Sequence, residues 1–254
     1  MSTVLVAGGT GALGKRIVQR LRVRGHEVRV LSRREGAGTH VGDLTTGEGV
    51  RAAADGAELI VHAASDFRRL GKPDVAQTRN LLSVAGEAHL LYVSIVGIDR
   101  IPVRYYRNKL ACEKLIAGSA VPHTILRATQ FHDLIATMLR GVERLPIAPL
   151  PADFRFQSVG TEDVALRVAD LLEGEPRGRA PDFGGPQVLT LAQMLETWRA
   201  HRGRPRRAVR IPLPGMVAQG LRSGYHTCPD RACGVQTWAQ YVASDPAPAY
   251  RRRS

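Results

Sequence analysis

The chain is poor in cysteine, in aromatic residues and in lysine. Three of its 254 residues are cysteine (Cys112, Cys228 and Cys233) and 5% are aromatic. So few cysteines, and an odd number of them, exclude a disulfide framework. Cys228 and Cys233 bracket four residues in CPDRAC, with only His226 nearby. That falls short of the donors a structural zinc requires, and no metal is expected. No apolar run reaches the ~18 residues that a membrane-spanning helix needs, so no membrane partner is expected. MSTVLVAGG carries no basic stretch ahead of its apolar one and reads as a buried strand rather than an export signal. A cytoplasmic protein is therefore expected.

Charge of one sign dominates. Lysine and arginine together number 36 against 23 acidic residues, a net charge of +13. Only Lys15, Lys72, Lys109 and Lys114 are lysine, so the excess is arginine. A basic chain invites a nucleic-acid reading. The arginines are scattered, however, and no nucleic-acid-binding motif accompanies them. The one dense run, RAHRGRPRRAVR (199–210), reads as a solvated helix end and loop. The expected partner is a small molecule rather than a nucleic acid.

What is present is alternation. TVLVAGG, EVRVLSR, ELIVHAAS, HLLYVSIVG and HTILRAT are short apolar runs of strand character. Between them ALGKRIVQRLRVRG, DVAQTRNLLSVAGEA and RYYRNKLACEKLIAGS show helical spacing. Strands alternating with helices predict an α/β fold of the Rossmann type, a doubly wound parallel sheet. Beyond residue 131 the alternation weakens. HDLIATMLRGVERL and TEDVALRVADLLEG read as helices, the second capped by Thr161, and PIAPLPADFRFQSVG holds one strand-like piece. A short strand and helix in APDFGGPQVLTLAQMLETWRAHRG and helices in PLPGMVAQGLRSG and GVQTWAQYVAS follow. The expected division is a cofactor-binding core over 1–150, with 151–254 adding the remaining core elements and a small substrate-capping lobe.

The turn from first strand to first helix is GGTGALG (8–14). Gly8, Gly11 and Gly14 repeat at every third position, and Gly9, Gly11 and Gly14 fit G-x-G-x-x-G. Such a turn lets backbone approach a pyrophosphate, with helix N–H groups aimed at the anion. Dinucleotide binding is expected, through Gly8, Thr10, Gly11, Ala12, Leu13 and Gly14. The second strand ends in Ser32, Arg33 and Arg34, where an acid would suit the ribose hydroxyl of NAD. Guanidinium groups suit the extra phosphate of NADP(H), with NAD(H) as the lesser choice. Asp43, beside Leu44, has two readings: contact with the adenine amino group, or the N-cap of a helix over TTGEGVRAAA.

These segments resemble the short-chain dehydrogenase/reductase family, in its extended and atypical branches that include the NmrA-like proteins. The resemblance rests on GGTGALG (8–14), GDL (42–44), HAAS (62–65), TRNLL (78–82), YVSIVG (92–97), YYRNK (105–109) and LRATQF (126–131). It implies that Tyr105 gives a proton to a carbonyl oxygen and Ser94 hydrogen-bonds that oxygen. Lys109, one helical turn from Tyr105, would hold the nicotinamide ribose and lower the phenol's pKa. It implies further cofactor contacts at Ala63, Ala64, Ser65, Ala128 and Thr129, and substrate contacts at Asp66, Gln130, Phe131 and His132. Relatives often carry asparagine, feeding a proton relay, where this chain has Asp74. The implied activity is an NADPH-dependent ketoreductase acting on a small hydrophobic carbonyl compound. The alternatives are a non-catalytic NADP-binding sensor of NmrA-like type and a nucleotide-sugar epimerase or dehydratase. The resemblance also allows a homo-oligomer.

Overall fold

The computed structural model describes residues 1–36, 38–142, 145, 147–202 and 207–247. In chain order the first elements are β1 (Thr3–Ala7), α1 (Ala12–Val23), β2 (Glu27–Ser32), β3 (Thr39–Val41), α2 (Val50–Ala54), β4 (Leu59–His62), α3 (Asp74–Ala85), β5 (His89–Ile95), α4 (Arg104–Ala117) and β6 (His123–Ala128). There follow α5 (His132–Val142), β7 (Ile147–Leu150), β8 (Arg155–Phe156), α6 (Thr161–Leu172), β9 (Gly178–Arg179), β10 (Leu189–Thr190), α7 (Leu191–Arg202), β11 (Arg207–Arg210), α8 (Met216–Arg222) and α9 (Trp238–Ala243). The backbone gathers into two compact units, each made of separated stretches. One comprises residues 1–94, 103–127 and 164–181; the other comprises 95–102, 128–163 and the described residues from 182 onward.

The first unit is built on a seven-stranded parallel sheet in the order β3-β2-β1-β4-β5-β6-β9, the expected Rossmann-type fold. Residues Val4, Leu5, Val6 and Ala7 of β1 are all fully buried, because the strand is flanked by β2 and β4 and covered on both faces. The chain runs outward from β1 to β2 and β3, then returns to β4 on the other side of β1. The strand order therefore reverses beyond the carboxyl end of β1, the position where ligands dock in open α/β sheets. One face of the sheet packs Leu5, Leu31, Ile60, Leu90 and Tyr92 against Leu81 and Ala85 of α3 and Cys112 and Ile116 of α4.

Two local expectations are corrected here. β3 was not anticipated: three residues are too few to show alternation, and only pairing with Val30, Leu31 and Ser32 of β2 makes them a strand. Asp43 does not cap a helix over 45–54. Gly47 (φ +87°) and Gly49 (φ +70°) hold left-handed backbone, so the helix starts only at Val50.

The second unit has its own core. Ile135 and Leu139 of α5, Met194 and Trp198 of α7, and Trp238 and Tyr241 of α9 pack with Phe154 and Phe156. Trp198, Trp238 and Tyr241 stack in series, with centroids 6.1 and 5.6 Å apart. Thr237 and Gln240 form a capping box that starts α9. Thr161, read from the sequence as a cap, is instead the first helical residue of α6. Two small sheets complete the unit, β10 antiparallel to β8 and β11 parallel to β7. The dense arginine run 199–210 falls partly outside the described residues. Among those described, no helix is long and apolar enough to cross a membrane.

A buried ion pair ties α4 to β6 in the first unit. The Arg127 guanidinium donates from Nε to Glu113 Oε1 (2.9 Å) and from Nη2 to Oε2 (2.7 Å), with both side chains buried. Arg127→Met leaves a buried carboxylate without this partner and is expected to cost about 3–5 kcal/mol in urea unfolding. Pairing it with Glu113→Leu removes that charge and is expected to recover most of the loss.

Candidate active site

The site is assembled at the carboxyl ends of β1, β4 and β5. After Ala7 the chain must turn tightly into α1, and Gly8 adopts φ +88°. A Cβ at Gly8 would lie 2.5 Å from the Ala64 backbone nitrogen, and one at Gly14 would lie 2.1 Å from the Gly8 carbonyl oxygen. The turn is thus pressed between the end of β4 and the first turn of α1, and no side chain fits at either position. Gly11 is the N-cap of α1; no side chain caps this helix and its first turn holds no acid. Its N–H groups are oriented toward any anion placed there. Thr10 and Gly11 are exposed, Ala12 is half-buried and Leu13 is buried.

At the end of β2, Ser32 is half-buried and its Oγ accepts the Arg34 N–H (3.1 Å), while Arg33 and Arg34 are exposed. The Asp43 carboxylate accepts the Thr45 N–H (2.7 Å) in a local turn. Leu44 is buried and its carbonyl accepts from Asn80 Nδ2 (3.0 Å). Ala63 and Ala64 are half-buried beside Gly8.

Tyr105 stands on the first turn of α4, half-buried. Its hydroxyl lies 2.8 Å from Ser65 Oγ. Ser65 in turn donates to Asp74 Oδ2 (2.5 Å), and Asp74 Oδ1 accepts the Asp66 N–H (3.0 Å). The Tyr105 ring meets Phe67 edge-on at 5.3 Å. The loop that carries Ser65 is pinned to α4 by Asn108, whose amide donates to the Leu70 carbonyl (2.8 Å).

Lys109, one turn along α4, is 3% exposed. Its Nζ donates to the Val93 carbonyl (2.8 Å) and sits 4.2 Å from the Tyr92 ring centroid. Burial lowers the ammonium's pKa, and the Asp74 carboxylate opposes that shift. Ser94 is buried, and its Oγ has no hydrogen-bond partner among the described residues. A buried hydroxyl left unpaired calls for a ligand or water to complete it. The glycine turn, Arg33, Arg34, Ser65, Asp66, Asp74, Ser94, Tyr105 and Lys109 all belong to the first unit, and hydrogen bonds join Ser65, Asp66, Asp74 and Tyr105 directly.

The remaining expected contacts lie in the second unit. Ala128 and Thr129 are buried, and Thr129 donates its N–H to the Phe183 carbonyl (3.0 Å). The Gln130 carboxamide is buried with neither polar atom partnered among the described residues, and Phe131 is half-buried. His132 is fully buried, with Nδ1 2.8 Å from Ser158 Oγ and Nε2 3.0 Å from the Gln236 carbonyl. Burial lowers its pKa, and both nitrogens are engaged inside the fold. In this position His132 is a structural group, which corrects its expected place among the substrate contacts.

Sequence reasoning missed Phe67, Gly71, Asn108 and the Val93 carbonyl. Asn108 lies three residues after Tyr105, so helical spacing signalled a shared face, although nothing in sequence gave its partner. His62 was also missed. Its Nε2 lies 3.0 Å from Thr78 Oγ1, and burial, with the nearby Lys109 charge, pushes its pKa down to about 3. The native ring stays neutral while the unfolded chain protonates around 6.5. Its contribution to stability is complete above that value and is lost as the pH falls toward 3. Urea unfolding between about pH 7 and pH 4.5 is expected to lose stability more steeply in the wild type than in His62→Gln.

Comparison with known proteins supports cofactor binding and the fold. A family model described as NAD(P)H-binding matches residues 8–175. The (4-alkanoyl-5-oxo-2,5-dihydrofuran-3-yl)methyl phosphate reductase of Streptomyces griseus is 28% identical, over 80% of this chain and 75% of its own. The NADPH-dependent quinone oxidoreductase of Escherichia coli, crystallised with NADPH, superposes with a TM-score of 0.79 at 18% identity, covering 95% of this chain and 99% of that one. A nucleoside-diphosphate-sugar epimerase from Staphylococcus aureus gives a TM-score of 0.74 at 16% identity, with coverage of 95% and 99%.

Proposed function

This chain belongs to the NAD(P)H-binding family, and we propose that it is an NADPH-dependent oxidoreductase that reduces the carbonyl of a small apolar substrate. The observation that carries the reading is the Tyr105 hydroxyl, held 2.8 Å from Ser65 in the unit that also contains the glycine turn and the buried Lys109.

The residues fit the cofactor. A turn in which Gly8 and Gly14 exclude any Cβ, ahead of an uncapped helix free of acids, suits a diphosphate. Exposed Arg33 and Arg34 beyond β2 suit a ribose phosphate, which favours NADP(H) over NAD(H). When bound, the reduced nicotinamide supplies a hydride to the carbonyl carbon. Tyr105 gives its phenolic proton to the carbonyl oxygen. The Ser94 hydroxyl, buried and unpartnered among the described residues, donates a hydrogen bond to the same oxygen. The Lys109 charge stabilises the phenolate that Tyr105 leaves behind.

One observation favours a non-catalytic reading. The Lys109 ammonium is buried and already bonded to the Val93 carbonyl rather than directed at Tyr105. A single assay separates the two readings. Absorbance of reduced nicotinamide is followed with a panel of ketones. Tyr105→Phe is expected to lower kcat by about 10²–10⁴-fold, with NADPH affinity within a few-fold of wild type. Tight NADPH binding with no turnover on any ketone overturns the reductase in favour of a sensor. Conversion of a nucleotide sugar without loss of NADPH overturns it in favour of an epimerase. Arg33→Ala is expected to weaken NADPH by ~10-fold or more, the size of one lost charge-assisted hydrogen bond, with little effect on NADH.

A further inference from the structure

The Ser65 hydroxyl stands between two oxygens that both want its single hydrogen. Asp74 Oδ2 is 2.5 Å away on one side and the Tyr105 hydroxyl is 2.8 Å away on the other. The second Asp74 oxygen accepts the Asp66 N–H (3.0 Å), so both oxygens of this buried group act as acceptors, as an ionised carboxylate's do. With the Ser65 hydrogen drawn to the carboxylate, only lone pairs of Ser65 face Tyr105. The phenol must then donate. An ionised Tyr105 would set oxygen lone pairs against oxygen lone pairs, unless Ser65 abandoned Asp74.

We infer that Asp74, acting through Ser65, holds the Tyr105 hydroxyl in its protonated form and so sets the site to give a proton to a carbonyl rather than take one from an alcohol. The inference deepens the reductase reading and rests on Tyr105 as the proton donor. Ser65 and Asp74 are positioning residues in it, and Tyr105 remains the acid. The surroundings keep the arrangement stiff. Gly71, at φ +69°, approaches so closely that a Cβ there would lie 3.0 Å from the Tyr105 ring and 3.2 Å from Asp74 Oδ2. Asn108 and Phe67 pin the same loop to α4.

The other groups around Tyr105 act as follows. Lys109, on α4, pulls the opposite way and favours the phenolate, although its ammonium is directed at the Val93 carbonyl. Tyr92, on β5, is held neutral by burial, as is His62 on β4. Tyr106 contributes a ring 6.3 Å from that of Tyr105, and the Asp66 carboxylate is engaged by the Arg69 N–H (3.0 Å). Of these groups, Lys109 and the Asp74–Ser65 pair pull the phenol in opposite directions, and the pair acts through a hydrogen bond that the neutral form alone donates.

The test follows phenolate absorbance of the cofactor-free protein against pH, with Tyr105→Phe subtracted to isolate one group. Asp74→Asn removes the charge and presents an amide N–H to Ser65, which turns the Ser65 hydrogen toward Tyr105. Ser65→Ala removes the link, and Ser65→Thr preserves the hydroxyl. The Tyr105 midpoint is expected to fall by about one pH unit or more in Asp74→Asn and Ser65→Ala, and to stay at the wild-type position in Ser65→Thr. In turnover, the alkaline limit of ketone reduction moves down with it. A midpoint that is unmoved or raised in Ser65→Ala overturns the inference. Should Asp74→Asn fail to fold by circular dichroism, the contrast between Ser65→Ala and Ser65→Thr decides. Ketone reduction at the wild-type rate in Tyr105→Phe removes Tyr105 as the proton donor on which the inference rests, while a loss of about 10²–10⁴-fold in Tyr105→Phe, with unmoved midpoints in the Ser65 and Asp74 variants, overturns the inference alone.

Discussion

The first unit depends on an approach that leaves no room for a side chain. Its strand order reverses at β1, so the turn that follows β1 must cross the end of β4 on its way into α1. Backbone meets backbone there, with a Gly8 Cβ excluded at 2.5 Å from Ala64. This contact sets where α1 begins and where its unpaired N–H groups point. It also sets where the chain leaves β4, and the residue after Ala64 is Ser65. One steric constraint therefore positions both the cofactor turn and the loop that reaches Tyr105.

Burial of charge shapes the remainder of the site. Helix α4 carries Tyr105, Lys109, Cys112 and Glu113 within little more than two turns. Glu113 is neutralised by a bidentate arginine. Lys109 is compensated by the Val93 carbonyl, the Tyr92 ring and the field of Asp74, with smaller contributions from Cys112 and Glu113. Burial, helped by that ammonium, keeps His62 neutral, and burial, helped by Cys112, Asp74 and Tyr105, drives the Tyr92 phenol well above its ordinary range. Around Tyr105 the two buried charges act in opposite senses, Lys109 favouring the phenolate and Asp74 the phenol. A proposed acid balanced between them can be tuned by the orientation of a single hydroxyl hydrogen, because a hydrogen bond to the neutral form opposes what a nearby cation favours.

Much of the first unit could be read directly from the chain. Apolar runs such as TVLVA are strands whichever neighbours they acquire, because only a doubly covered sheet buries them fully. The glycines at 8, 11 and 14 have few other uses immediately between a strand and a helix. The short strand β3 and the late start of α2 escaped because each is decided by pairing or by left-handed glycines, not by periodicity. His132 misled for a related reason. A histidine at a helix start is more often a structural group than a reactive one, and packing against Trp238 and Tyr241, with Ser158 and Gln236 at its nitrogens, gives His132 that role.

By itself the sequence determined five of the sheet's seven strands, the glycine turn and the presence of Tyr105 and Lys109 on one helical face, since these follow from local patterning of the chain. Tertiary structure alone decided what each side chain touches. Ser65, Asp74 and Tyr105 are spread over 41 positions and come within hydrogen-bond reach only because β4, α3 and α4 converge at one sheet end. Hydrogen bonds act over about 3 Å, a distance on which local patterning of the chain has no hold.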